Sequence, residues 1–94
     1  MVMTVLEARV AKERWSDLRA AYARQTAERP PQMVATYLVQ NASDPTLWRG
    51  ISMWKSRAAL EEMRRNTATP GGVLVFRAAG AEPTLSVYDV VASA

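Results

Sequence analysis

The chain contains neither cysteine nor histidine among its 94 residues. Disulfides are therefore impossible, and metal sites built from thiolate or imidazole are excluded. Catalytic sets that need a histidine base are excluded with them. Lack of cysteine also fits a reducing compartment. Long apolar runs are missing too. No stretch approaches the roughly 18 residues that a membrane helix requires. The opening Met1-Val2-Met3-Thr4-Val5-Leu6-Glu7 has no basic segment, and Glu7 and Arg9 break its apolar run, so it does not read as a secretory signal. The expectation is a soluble, cytoplasmic protein with no membrane partner. Glycine is scarce, and Gly71-Gly72 lacks the lysine and spacing of a phosphate loop. No nearby carboxylate pair has a metal-binding arrangement, so neither a metal nor a cofactor is expected.

What is present is a short chain, rich in apolar residues, that reads as a single domain over residues 1–94. A core of that size stabilises a monomer only marginally. With no disulfide or metal to help, association is the remaining device. The net charge is +3. Its densest cluster, Arg57, Arg64 and Arg65, is interleaved with Glu61 and Glu62. That is a mixed helix surface rather than a nucleic-acid stripe.

Thr4 to Val10 alternates as a strand, with Leu6, Ala8 and Val10 on one face and Val5, Glu7 and Arg9 on the other. Ala11 to Glu28 reads as a helix whose apolar stripe carries Trp15, Leu18 and Tyr22. Pro30-Pro31 stops it. Met33 to Gln40 is a second strand, Asn41 to Pro45 a turn, and Leu47 to Trp54 a third strand, most economically joined as a hairpin. Ser56 caps a helix reaching about Arg65, with Ala59, Leu60 and Met63 as its apolar face. Residues 73–79 are ambiguous between helix and strand, with one or two helical turns favoured because Gly80 supplies a stop. Thr84 to Ala92 is the last strand.

This order predicts an α+β, ferredoxin-like βαββαβ fold with a four-stranded antiparallel sheet. Helices can cover only one face of such a sheet. Yet both faces are largely apolar: Ala35, Tyr37 and Val39 oppose Val34 and Leu38, while Leu47, Ile51 and Met53 oppose Trp48 and Trp54. A sheet with one wet face should alternate apolar with polar. A second copy of the chain is the expected cover.

Three stretches carry a family resemblance. They are the junction Trp54-Lys55-Ser56 with Ala59, Leu60 and Met63 behind it; the hairpin from Tyr37 through Asn41-Ala42-Ser43-Asp44-Pro45 into Trp48-Arg49-Gly50; and Gly80-Ala81-Glu82-Pro83 leading to Tyr88-Asp89-Val90-Val91. Taken in order, they resemble the antibiotic biosynthesis monooxygenase-like family. The resemblance implies a dimeric α+β barrel, in which two sheets pack face to face and a pocket lies between each sheet and its own helices. It also implies a mixed chemistry, since some members oxygenate polycyclic aromatics without metal or organic cofactor and others degrade haem. The haem-degrading branch carries its tryptophan at the position of Met63 and its iron ligand near Val73. With no histidine in the chain, that ligation is rejected.

The candidate ligand-site residues are Tyr22, Tyr37, Arg49, Trp54, Met63 and Phe76, an aromatic and apolar set with one cation that suits a planar anionic or phenolic ligand. Each also has a purely structural reading. Trp54 can plug the core between strand and helix. Tyr37 and Tyr88 can be buried phenols with backbone partners. Arg49 sits mid-strand, where a charge must be paired or face a polar cavity. It can anchor an anion, or form an intersubunit ion pair with Glu7 or Asp89. Strand alternation puts Arg49 and Trp54 on opposite faces, so they share a pocket only across a bulge or sheet edge. The functions that remain are a cofactor-independent monooxygenase acting on a small aromatic or polyketide-like compound, a non-catalytic small-ligand-binding homodimer, and a structural homodimeric domain.

Overall fold

The computed structural model describes residues 1–94. Strand β1 (Val2–Arg9) runs into a single tight turn at Lys12–Arg14 and then helix α1 (Trp15–Thr26). Strands β2 (Met33–Gln40) and β3 (Leu47–Trp54) form the hairpin. Helices α2 (Arg57–Asn66) and α3 (Gly71–Ala78) precede β4 (Thr84–Asp89). The sheet has four strands in the order β2-β3-β1-β4, each antiparallel to its neighbours. This is the ferredoxin-like α+β arrangement.

Local chemistry explains most boundaries. The Ser56 side chain accepts a hydrogen bond from the Ala59 amide at 3.1 Å and starts α2. In the β2–β3 turn, Asn41 Oδ1 accepts from the Ser43 and Asp44 amides, both at 2.9 Å. Gly80 has a φ of +74°, and the amides of Gly80 and Ala81 donate back to the carbonyls of Arg77 and Phe76, both at 3.0 Å. That left-handed residue with two returning bonds ends α3, so residues 73–78 are helix and Ala79 is its cap.

Several expected boundaries move. The first strand runs Val2–Arg9 rather than Thr4 to Val10, because Val2 and Met3 already pair with Trp54 and Met53 of β3. The first helix begins at Trp15 rather than Ala11, because Arg14 (φ −107°, ψ 3°) leaves helical geometry and Lys12–Arg14 forms its own tighter turn. It also ends at Thr26, short of Glu28. The last strand stops at Asp89 rather than Ala92: Asp89 pairs with Val2, the first residue of β1, and only one more bond follows, from the Val90 amide to the Met1 carbonyl at 3.0 Å. In β2 the register shifts between Met33 and Ala35. This bulge leaves Val34 exposed, and Met33 instead pairs with Trp54.

The helices cover one face of the sheet. Leu6, Trp48, Leu18, Val75 and Phe76 anchor the larger core cluster there, and Val2, Trp54 and Leu60 form a separate smaller one. Helix α3 lies so close to β1 that a Cβ on Gly72 would come within 2.6 Å of Leu6 Cδ1. The opposite face carries Met3, Val5, Ile51, Tyr37 and Tyr88, with Tyr37 and Tyr88 about half exposed. No helix is long and apolar enough to cross a membrane.

Candidate functional site

Between the two core clusters the helix-covered face opens into a cleft of about 230 Å³. Strand alternation selects its floor. Thr4 and Leu6 come from β1, Thr36 and Leu38 from β2, and Gly50, Ser52 and Trp54 from β3. The helices supply the walls: Tyr22 from α1, Leu60 and Met63 from α2, Phe76 from α3. Arg29 and Arg64 reach its exposed rim, and neither takes part in an ion pair.

Trp54 stands at the junction of β3 and α2, 3% exposed, with Leu60 in the smaller cluster. Its indole N–H donates to Thr4 Oγ1 at 3.1 Å. Beside it, the Thr36 and Ser52 hydroxyls lie 3.2 Å apart. Trp48, six residues before Trp54 on the same face, meets Trp15 edge-on at 5.8 Å between ring centroids. The Trp15 N–H donates to the Val10 carbonyl at 2.9 Å, whereas the buried Trp48 N–H has no hydrogen-bond partner.

Of the residues singled out by sequence, Tyr22, Trp54, Met63 and Phe76 come together around the cleft. Tyr37 and Arg49 do not. Tyr37 pairs with Ile51 and Arg49 with Val39, which puts both on the uncovered face. The bulge in β2 lies before Ala35 and so leaves their orientation unchanged. Arg49 Nε donates to Glu7 Oε1 at 2.7 Å within the same chain, and Asp89, the other carboxylate considered for it, pairs with Arg57 at 2.8 Å.

Sequence reasoning missed the hydroxyl groups. Threonine and serine are ordinary strand residues, and only the register aligns these three. Thr4 faces Ser52 across β1–β3, and Ser52 faces Thr36 across β3–β2. The available signal was a violation of pattern, since Thr4, Thr36 and Ser52 occupy positions that share a face with Leu6, Leu38 and Trp54.

Charge lies elsewhere. Asp44 is held below the ordinary aspartate value of 3.8 by hydrogen bonds from Arg9 and Thr46, and Glu82 below 4.5 by a hydrogen bond from Arg77, whose own value rises in return. All three are on the surface, away from the cleft. No three carboxylates gather closely enough to hold a metal ion.

No protein-family model and no curated protein matches the chain. Solved structures do. A candidate antibiotic biosynthesis monooxygenase from Deinococcus radiodurans superposes with a TM-score of 0.75 at 15% identity, over 100% of this chain and 96% of that one. SnoaB, a cofactor-independent oxygenase from Streptomyces nogalater, gives 0.73 at 20% identity, over 98% and 94%. A conserved protein from Methanosarcina mazei gives 0.73 at 14% identity, over 93% and 89%. This chain has the antibiotic biosynthesis monooxygenase-like fold. At such identities it is the fold that is shared, so the chemistry must be argued from this chain's own cleft. In this fold the covered face of the sheet holds the cleft, and the uncovered face carries Tyr37, Arg49 and Ile51.

Proposed function

We propose that the chain is a cofactor-independent monooxygenase acting on a small aromatic or polyketide-like compound held in the cleft between sheet and helices. The observation that carries this is the cleft itself, about 230 Å³ and walled by Trp54, Phe76, Leu60, Met63 and Tyr22. Its size and lining suit a planar apolar ligand with few polar groups. The fold shared with SnoaB, a cofactor-independent oxygenase, supports the same reading.

Such chemistry needs a substrate that is its own reductant. A CH2 group flanked by aromatic or carbonyl groups loses a proton, and the resulting carbanion gives its electrons to O2. One oxygen atom ends in a new C=O and the other leaves as water, so CH2 plus O2 becomes C=O plus H2O. The protein's part is to hold the ring in a site shielded from bulk water and to favour the ionised form. The cleft floor has no carboxylate, and Glu28 lies only at its exposed rim. That favours substrates acidic enough to ionise with little help. It is also the observation behind a second reading, a non-catalytic binder of the same ligands.

The assembly proposed is a homodimer of the 1–94 unit, with two uncovered faces packed into a barrel. Its support is the apolar character of that face, where Tyr37, Val39 and Tyr88 are exposed. A cytoplasmic setting is part of the reading, with the cysteine-free sequence as its support. The test is oxygen uptake with a panel of hydroxylated anthrones, scored against the buffer rate, with product mass measured alongside. Uptake of one O2 per ketone formed, abolished by filling the cleft with Leu60→Trp, is the expected result. Tight binding without uptake above the buffer rate overturns the enzyme and leaves the binder.

A further inference from the structure

We infer that Thr4 and Ser52 form a two-donor seat for a ligand oxyanion, charged by two hydrogen-bond relays that run across the sheet. The inference rests on the cleft being a ligand site and names the group the ligand must carry: an ionisable ring hydroxyl or enol.

Proton counting supplies the argument. A hydroxyl has one proton to donate and can also accept. Thr4 Oγ1 accepts from the Trp54 indole at 3.1 Å, so its own proton remains to be given. Thr36 and Ser52 share one hydrogen bond at 3.2 Å in which either can donate; the seat takes Thr36 as the donor, which leaves the Ser52 proton to be given. Neither remaining proton has a protein acceptor, and all three side chains line the cleft. The relays Trp54 to Thr4 and Thr36 to Ser52 therefore end side by side. Hydrogen bonds in series polarise one another, so each terminal hydroxyl is a better donor than an isolated one.

Thr4 and Ser52 are direct cross-strand partners. Such neighbours stand roughly 4.5–5.5 Å apart between Cα atoms. A single oxygen seated between them is within hydrogen-bond reach of both, as in a two-donor oxyanion hole. The surroundings are Leu6, Phe76 and Leu60, where neutral donors count for more than in water. A delocalised phenolate or enolate fits this seat. A hydrocarbon of the same shape leaves two donors unsatisfied.

The test uses 1-naphthol and naphthalene, with binding read from tryptophan fluorescence and ionisation from the naphtholate absorption band. The wild-type protein is expected to bind 1-naphthol about 10-fold or more tighter than naphthalene. Bound naphthol is expected to ionise at lower pH than in buffer, because donors to the charged form favour it. Ser52→Ala and Thr4→Val should remove both the preference and the ionisation shift, with naphthalene affinity kept or raised because no donor is left unmet, and Thr4→Ser should restore both. Far-UV melts confirm that each variant is folded. A preference that survives in the folded variants overturns the seat and makes the row a cross-strand stabiliser, with the oxygenase reading intact. Failure of wild-type protein to bind either probe overturns the seat together with the cleft reading beneath it.

Discussion

Trp54→Ala tests whether this side chain is a core plug as well as a cleft wall. Trp54 is 3% exposed and packs with Val2 and Leu60, with Met33, Met63 and Val87 around them. A buried tryptophan withdraws roughly 150–250 Å² from water, which at about 25 cal/mol per Å² sets an upper figure of about 4–6 kcal/mol. Aromatic-to-alanine changes in cores cost about 3–5 kcal/mol. Two local features act in opposite directions. The neighbouring cleft lets Met63 and water move into the vacated space, which lowers the cost. Loss of the bond to Thr4 adds about 1 kcal/mol. The expected loss is about 3–4 kcal/mol, or a fall in Tm of roughly 12–30 °C for a chain this short. Urea unfolding followed by far-UV dichroism measures it, at fixed protein concentration because assembly couples to stability. A loss below about 1 kcal/mol, well under the cost of emptying a core site, with ligand binding gone, refutes the core role and leaves Trp54 as a cleft wall only.

Three further outcomes are expected. Ile51→Glu, which places an unpaired charge on the uncovered face, should convert a dimer to a folded monomer in sedimentation at micromolar concentration, and an unchanged dimer removes that face as the interface. Trp48→Phe should change stability by less than about 1 kcal/mol, because relief of the unpartnered N–H offsets the lost ring area, whereas Trp54→Phe breaks a made bond and costs more; thermal melts showing the reverse order contradict the assignment. Asp44 titrates below its ordinary value in the folded chain, so its stabilising contribution is present above about pH 4 and is lost as the pH falls through the lowered value. Asp44→Asn should therefore lower stability at neutral pH, make no difference at the acid end where Asp44 is already protonated, and so flatten the acid side of the stability–pH curve; an unaltered acid slope argues against the Arg9 pairing.

Much of the fold was legible because it follows from local rules. The ranges of β2 and β3 match the residues read as strands, and Ser56, Asn41 and Gly80 act as the cap, turn and stop that their chemistry implies. What was not legible depends on partners. β4 ends where β1 runs out, and the bulge at Val34 is set by how β2 meets β3. The cleft was half legible. Tyr22 and Met63 follow from helical period and Trp54 from the strand-to-helix junction, and alternation already separated Arg49 from Trp54. Tyr37 was misplaced with them because an aromatic residue looks site-like on either face. The hydroxyl row went unread because its three members come from three strands, and only the register brings the three breaks in pattern together.

The alternation of β3 also dictates how this protein can tolerate change in length. Residues 48, 50, 52 and 54 face the helices, and residues 47, 49, 51 and 53 face away. One residue inserted after Gly50 would turn Ser52 and Trp54 outward and bring Ile51 and Met53 in, removing the middle member of the hydroxyl row and the junction indole in a single step. Two inserted residues would restore the parity. The turn at 41–46 carries no such parity constraint: Asn41 holds its own turn, and the bonds of Asp44 and Thr46 to Arg9 and Val10 lie at its far end. Length variation among descendants of this sequence should therefore collect in that turn and, within β3, come in pairs.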